Sequence, residues 1–216
     1  MEFRLRYAGS LPSSGSADLR KVKHDIRKQL HPQLLDLSER NPAVNYLFNN
    51  VLGRVPSKSS FSSPLAQSLY DPTHFDASAV GEKGKVGKFQ FAPLIVGAVH
   101  MVCHLDILFL RREAPGSLIM KPKDEYGGDL DNRLKIFFDG LKMPCFQDLP
   151  KDAAPEDGEH PFLCLLEDDS LITKFQVESD TLLGITNSTN QTDVELIVAV
   201  TTRLTQITLA NVLYIG

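Results

Sequence analysis

The residues able to do chemistry gather in Gly128-Asp129-Leu130-Asp131-Asn132-Arg133-Leu134-Lys135, continued by Asp139-Gly140-Leu141. Asp129 and Asp131 are two apart, and along an extended entry such residues point to one side. Asp131, Lys135 and Asp139 follow at intervals of four, which stacks them along one stripe of a helix. The free N–H groups at a helix start favour negative charge there. Further along, Glu167-Asp168-Asp169 forms a second acidic knot leading into the alternating run Leu171 to Val177. Carboxylates from two such segments, beside a lysine, are what a hard divalent cation takes as ligands. A plainer reading stands beside it: Asp129 or Asp131 caps the helix, and Lys135 is its ion-pair partner one turn on. A calcium loop is excluded. Counted from Asp129, Arg133 takes the fifth position, Leu134 replaces the required glycine, and Gly140 replaces the final glutamate.

The element that must carry Asp131 and Lys135 is amphipathic. Leu134, Phe137, Phe138 and Leu141 recur at helical spacing, which predicts a helix buried on that stripe. Upstream, Phe3, Leu5 and Tyr7 alternate with Arg4 and Arg6 as a first strand. Ala17 to Gln29 reads as a helix that ends, bends or restarts at Pro32. Leu34 to Leu52 reads as a second helical piece, interrupted near Pro42. Phe89–Leu94, Val99–Leu110, Cys164–Val177 and Asp193–Leu204 read as strands, with one more possible over Thr205–Gly216. If Cys164–Val177 is continuous, Glu167 and Asp169 share a side with Leu171, Phe175 and Val177. An acid buried there needs a partner, which a cation supplies; the competing reading makes Glu167–Ser170 a polar turn. The order of elements predicts an α+β fold, a small mixed sheet with packed helices. The whole chain, 1–216, reads as one domain, with the Ser-rich segment 53–68 and the Pro-broken segment 143–162 as loop insertions.

Basic residues cluster on the first helix: Arg20, Lys21, Lys23, Arg27 and Lys28. They suit either a solvated face or a surface that tracks DNA phosphates. Gly81 to Lys88 lacks the P-loop spacing, so no nucleotide site is expected. His100 and His104 on a strand lie roughly 13 Å apart, too far for one ion.

Asp129-Leu130-Asp131-Asn132-x-x-Lys135, then Asp139-Gly140-Leu141, then Asp168-Asp169 entering a strand, resembles the RusA family of Holliday junction resolvases. That resemblance implies a homodimeric, magnesium-dependent endonuclease, Mn²⁺ being a substitute ion, that cuts four-way DNA junctions symmetrically in recombination and repair. By position, it puts the essential acids at Asp129, Asp131 and Asp169, the essential lysine at Lys135, and Asp168 as a further metal candidate. The chain departs from the family in its longer N-terminal part and in the segment Met143 to Leu166 between helix and Asp-Asp pair. A resolvase-like module that grips branched DNA or a protein partner without cutting is the alternative function.

Composition sets outer bounds. With 216 residues, 42% hydrophobic and 23% charged, the chain can bury a sizeable core. A formal charge of −4 argues mildly against a nucleic-acid binder, although acidic metal ligands contribute to that sum. Cys103, Cys145 and Cys164 show no C-x-x-C, which suits reduced thiols and a cytoplasmic setting. The uncharged stretch Phe91–Leu94 onward to Leu105 is too short for a membrane span, and no organic cofactor motif stands out.

Overall fold

The structure, a computed structural model, describes residues 1–12, 18–46, 84–112, 130–183, 192–208 and 211. Asp129, segment 53–68, the end of the second helical piece and most of Thr205–Gly216 lie outside the described residues. In chain order the elements are β1 (Glu2–Ser10), α1 (Leu19–Arg40), α2 (Pro42–Tyr46), β2 (Lys85–Val86), β3 (Phe89–Ile95), β4 (Met101–Arg111), α3 (Leu130–Leu141), β5 (Phe162–Leu166), β6 (Ile172–Thr181) and β7 (Asp193–Leu204). This is an α+β fold. One mixed sheet runs β1-β7-β4-β6, with β6 parallel to β4 and the other pairs antiparallel. A smaller sheet runs β2-β3-β5, its β3 and β5 parallel.

The alternation in sequence decides which face of the large sheet is covered. Met101, Cys103, Leu105, Ile107 and Phe109 of β4 point into the core, beside Val194, Leu196, Val198 and Val200 of β7 and Leu5 and Tyr7 of β1. The register puts Ile107 opposite both Val198 and Val177. Onto this face pack Ile26, Leu30 and Leu34 of α1 and Leu134, Phe137 and Leu141 of α3. Each such burial contributes about 1.5–3 kcal/mol. The opposite face carries Arg4, Arg6, Asp106 and Glu178, all exposed.

Asp18 caps α1, its carboxylate accepting from the Arg20 N–H at 3.1 Å. Of the end, bend or restart that the sequence offers at Pro32, the end is excluded, because the helix continues to Arg40. Pro32 is exposed, while Leu30, His31 and Leu34 around it are buried in the core. Their packing offsets the roughly 3 kcal/mol that a proline costs inside a helix. α1 and α3 meet closely at Gly140, where a Cβ would come within 2.7 Å of Ile26 Cδ1.

A second core joins Val86, Phe89, Phe91, Leu149, Phe162 and Cys164. It draws in the segment expected to be a loop insertion. Met143 N–H donates to the Leu166 carbonyl at 2.8 Å, Lys28 pairs with Glu156, and His31 bridges to Gly158 and Leu163. Because His31 Nδ1 accepts from the Leu163 N–H at 2.9 Å, its Nε2–H donates to the Gly158 carbonyl at 3.1 Å.

Candidate functional site

Helix α3 begins at Leu130, so Asp131 stands in its first turn. Leu134, Ile136, Phe137 and Leu141 bury one side, and Asp131, Asn132 and Lys135 remain exposed on another. Neither Asp131 nor Lys135 has an ion-pair partner among the described residues. Phe138, half-buried, stands edge-on to Phe175 of β6 with ring centroids 5.3 Å apart. That ring contact links β6 to α3.

The acidic knot is a turn. β5 belongs to the small sheet and β6 to the large one, so the chain must change sheets between Leu166 and Ile172. It does so through a single 3-10 turn, Asp169–Leu171. The continuous strand Cys164–Val177 is therefore corrected, and with it the placing of Glu167 and Asp169 on an apolar strand face. Each acid has a polar partner instead. Glu167 Oε2 accepts from the Gly97 N–H at 2.9 Å. Asp168 accepts from the Ser170 N–H at 3.0 Å, and hydrogen bonding from the Ser170 side chain, then this backbone bond, hold its carboxyl below the usual carboxylate range. Asp169 Oδ2 accepts from Lys142 Nζ at 3.0 Å.

Lys142 links that turn to the end of α3. Its ammonium also lies 3.1 Å from Asp139 Oδ1, and Lys23 of α1 reaches the other oxygen of Asp139 at 2.7 Å. Lys23 is in turn 3.9 Å from Asp148. The alternating chain Asp148–Lys23–Asp139–Lys142–Asp169 ties α1, α3 and the turn before β6 together. Burial pushes the Asp139 carboxyl up, but the hydrogen bonds from Lys23 and Lys142 outweigh it and leave it below its ordinary value. Burial likewise pushes Lys142 down, and its bonds to Asp169 and Asp139 more than restore it, so the ammonium is favoured. Beneath this chain Arg27, buried, donates from Nε to the Lys142 carbonyl at 2.9 Å and from Nη2 to the Asp139 carbonyl at 2.7 Å. It satisfies carbonyls that the end of α3 leaves open.

These contacts revise the basic stripe of α1. Arg27 is internal and cannot face phosphate. Lys23 is held by Asp139, and Lys28 by Glu156. Arg20 and Lys21 alone of the five are exposed without a described carboxylate partner.

Asp131 and Lys135 thus share an open stripe, while Asp168 and Asp169 sit in one turn against the far end of the same helix. Asp169 is brought to Lys142 and Asp139 rather than to Asp131, which lies about 12 Å before Asp139 along the axis at 1.5 Å per residue. Among the described residues no three His, Cys, Asp or Glu side chains form a group ready to hold a metal ion, and Asp129 is outside them. Lys142 was missed in the sequence, although it extends the stripe one turn beyond Asp139 at the i,i+3 spacing of an ion pair. No helix is long and apolar enough to cross a membrane among the described residues. No family model matches the chain, and no curated protein or solved structure matches it.

Proposed function

We propose that this chain is a magnesium-dependent endonuclease acting on branched DNA, four-way junctions above all. The observation that carries the reading is the exposed pair Asp131 and Lys135, one turn apart on the open stripe of a helix whose other side is buried. Asp131 is a free carboxylate among the described residues, and Asp169 uses only Oδ2 toward Lys142, which leaves Oδ1 without a described partner. By the resemblance Asp129, Asp131 and Asp169, with Asp168, would hold the ion, which when bound supplies an activated water and charge compensation at phosphorus; as the structure stands, Lys142 keeps Asp169 at the far end of α3, so Asp131 and Asp169 do not share one ion.

The chain's own residues do the rest. Lys135 presents an ammonium one turn from Asp131, where it can hold the scissile phosphate and stabilise the negative charge that grows on its oxygens. Arg20 and Lys21 offer exposed cations at the start of α1 for backbone phosphates further along a duplex arm. A four-way junction has twofold symmetry, so a twofold dimer of this chain is the simplest way to make two equal cuts.

A second reading rests on the Lys142–Asp169 ion pair and on the internal pairing of Lys23, Arg27 and Lys28. A chain whose acids and bases are largely spent on its own architecture suits a non-catalytic module that grips branched DNA or a partner. Incubating the protein with labelled four-way junctions, forks and plain duplex, in Mg²⁺ and in EDTA, separates the two. Junction-selective nicking that EDTA stops supports the nuclease; structure-selective binding with no cleavage in Mg²⁺ or Mn²⁺ supports the module.

A further inference from the structure

We propose that strand β6 is a self-association edge, pairing antiparallel with β6 of a second copy of this chain. The large sheet, β1-β7-β4-β6, has two edges, and they are finished differently. The β1 edge is capped from within. Gln33 of α1 accepts from the Arg6 N–H at 2.9 Å and donates to the Arg6 carbonyl at 2.7 Å, as a neighbouring strand would, and Gln29 accepts from the Ala8 N–H at 3.2 Å. The β6 edge has no such cover among the described residues. In its parallel pairing with β4, alternate residues turn their N–H and C=O groups to β4 and the others turn theirs away, where a further strand can take them.

The sequence of β6 is complementary to itself. Lys174, Gln176 and Glu178 are exposed on the outer face of the sheet. Phe175 and Val177 stand opposite Leu105 and Ile107, on the face that carries the helices, and Phe175 is 55% exposed there. Opposite residues of an antiparallel pair share a face, so a twofold axis between two copies of β6 must pass at one residue. With the axis at Gln176, Lys174 of each copy faces Glu178 of the other, and Phe175 faces Val177. Both attractions then occur twice. An axis at Phe175 brings no opposite charges together, and one at Val177 sets Phe175 against Ser179. The Gln176 register joins the two four-stranded sheets into one. It draws on the sheet edge alone and holds whether or not the chain cuts DNA.

Sedimentation equilibrium of the full chain over a range of concentrations tests this. The unaltered chain should show a monomer–dimer equilibrium. Lys174→Glu sets glutamates against each other twice and should raise the dissociation constant at least about fivefold; Glu178→Lys, which opposes lysines, should do the same. The double variant Lys174→Glu with Glu178→Lys exchanges the charges and should restore the original constant. Thermal unfolding of each variant checks that the fold persists, as the exposed positions lead one to expect. Cross-linking reads the register, in a Cys145→Ser background because Cys145 is an exposed thiol. Under mild oxidation Gln176→Cys should give a covalent dimer, and Lys174→Cys, whose two copies lie roughly 13 Å apart along the strands, should not. A monomer at every concentration overturns the proposal. So does a dimer that folded Lys174→Glu forms undiminished, or one that Lys174→Cys locks better than Gln176→Cys.

Discussion

Replacing Arg27 with Met should destabilise the protein by about 3 kcal/mol. The guanidinium is buried, 1% exposed, and its two bonds go to the carbonyls of Asp139 and Lys142 where α3 ends. A hydrogen bond from a charged donor is worth about 1.5–3 kcal/mol, and a buried acceptor left without a donor costs about 1–3 kcal/mol. Against this, the ion no longer has to be desolvated, and Met fills most of the same volume. The balance is a loss near the cost of one such bond. With an m-value of about 2 kcal/mol/M, the urea midpoint should fall by roughly 1.5 M. Arg27→Lys should rescue little, because one ammonium lacks the planar fork that spans two carbonyls. A midpoint shift below about 0.5 M at unchanged m would refute the argument that Arg27 anchors α3.

Acid should weaken the fold between about pH 6.5 and 4. Burial beside Phe89 and Phe162, then the charges of Arg27 and Lys28, lower the His24 pKa from 6.5 to about 4, against the opposing pull of Glu156. The folded state thus holds His24 neutral: its contribution is complete above the unfolded pKa and is lost as pH falls toward the folded one, up to about 3 kcal/mol in all. Urea midpoints measured across that range should flatten in His24→Phe; an unchanged slope would exclude His24 as the source. Gly140→Leu should cost several kcal/mol, since even a Cβ would lie 2.7 Å from Ile26, and a variant as stable as the original would show that α1 and α3 have room to separate. Lys135→Met should leave the unfolding free energy within about 0.5 kcal/mol of the original, because the side chain is exposed, while cutting junction cleavage at least tenfold. Equal loss of stability and activity would assign Lys135 a structural role instead.

Much of the fold is legible where one physical signal acts alone. The alternation of Asp193–Leu204 delimits β7 to the residue, and the apolar stripe of α3 identifies both its buried side and its open one. Signals fail where a second constraint intervenes. Pro32 marks a helix end by local chemistry, yet the buried neighbours Leu30, His31 and Leu34 carry α1 through it. Arg27 reads as one more cation on a basic face, although helical spacing sets it between His24 and His31 on the stripe that faces inward. Local sequence cannot reveal that β5 and β6 enter different sheets, and that change turns Glu167–Leu171 out of a strand. The partnership of Asp169 with Lys142 is likewise a tertiary fact, made by residues 27 apart.

The most direct test of the nuclease reading compares Asp131→Asn with the unaltered chain on a labelled four-way junction in Mg²⁺, scoring binding and cleavage in the same samples. The substitution keeps the size of an exposed side chain and removes only its charge, so the fold and the grip on DNA should persist while cleavage disappears. Cleavage by Asp131→Asn at the original rate would contradict the central claim.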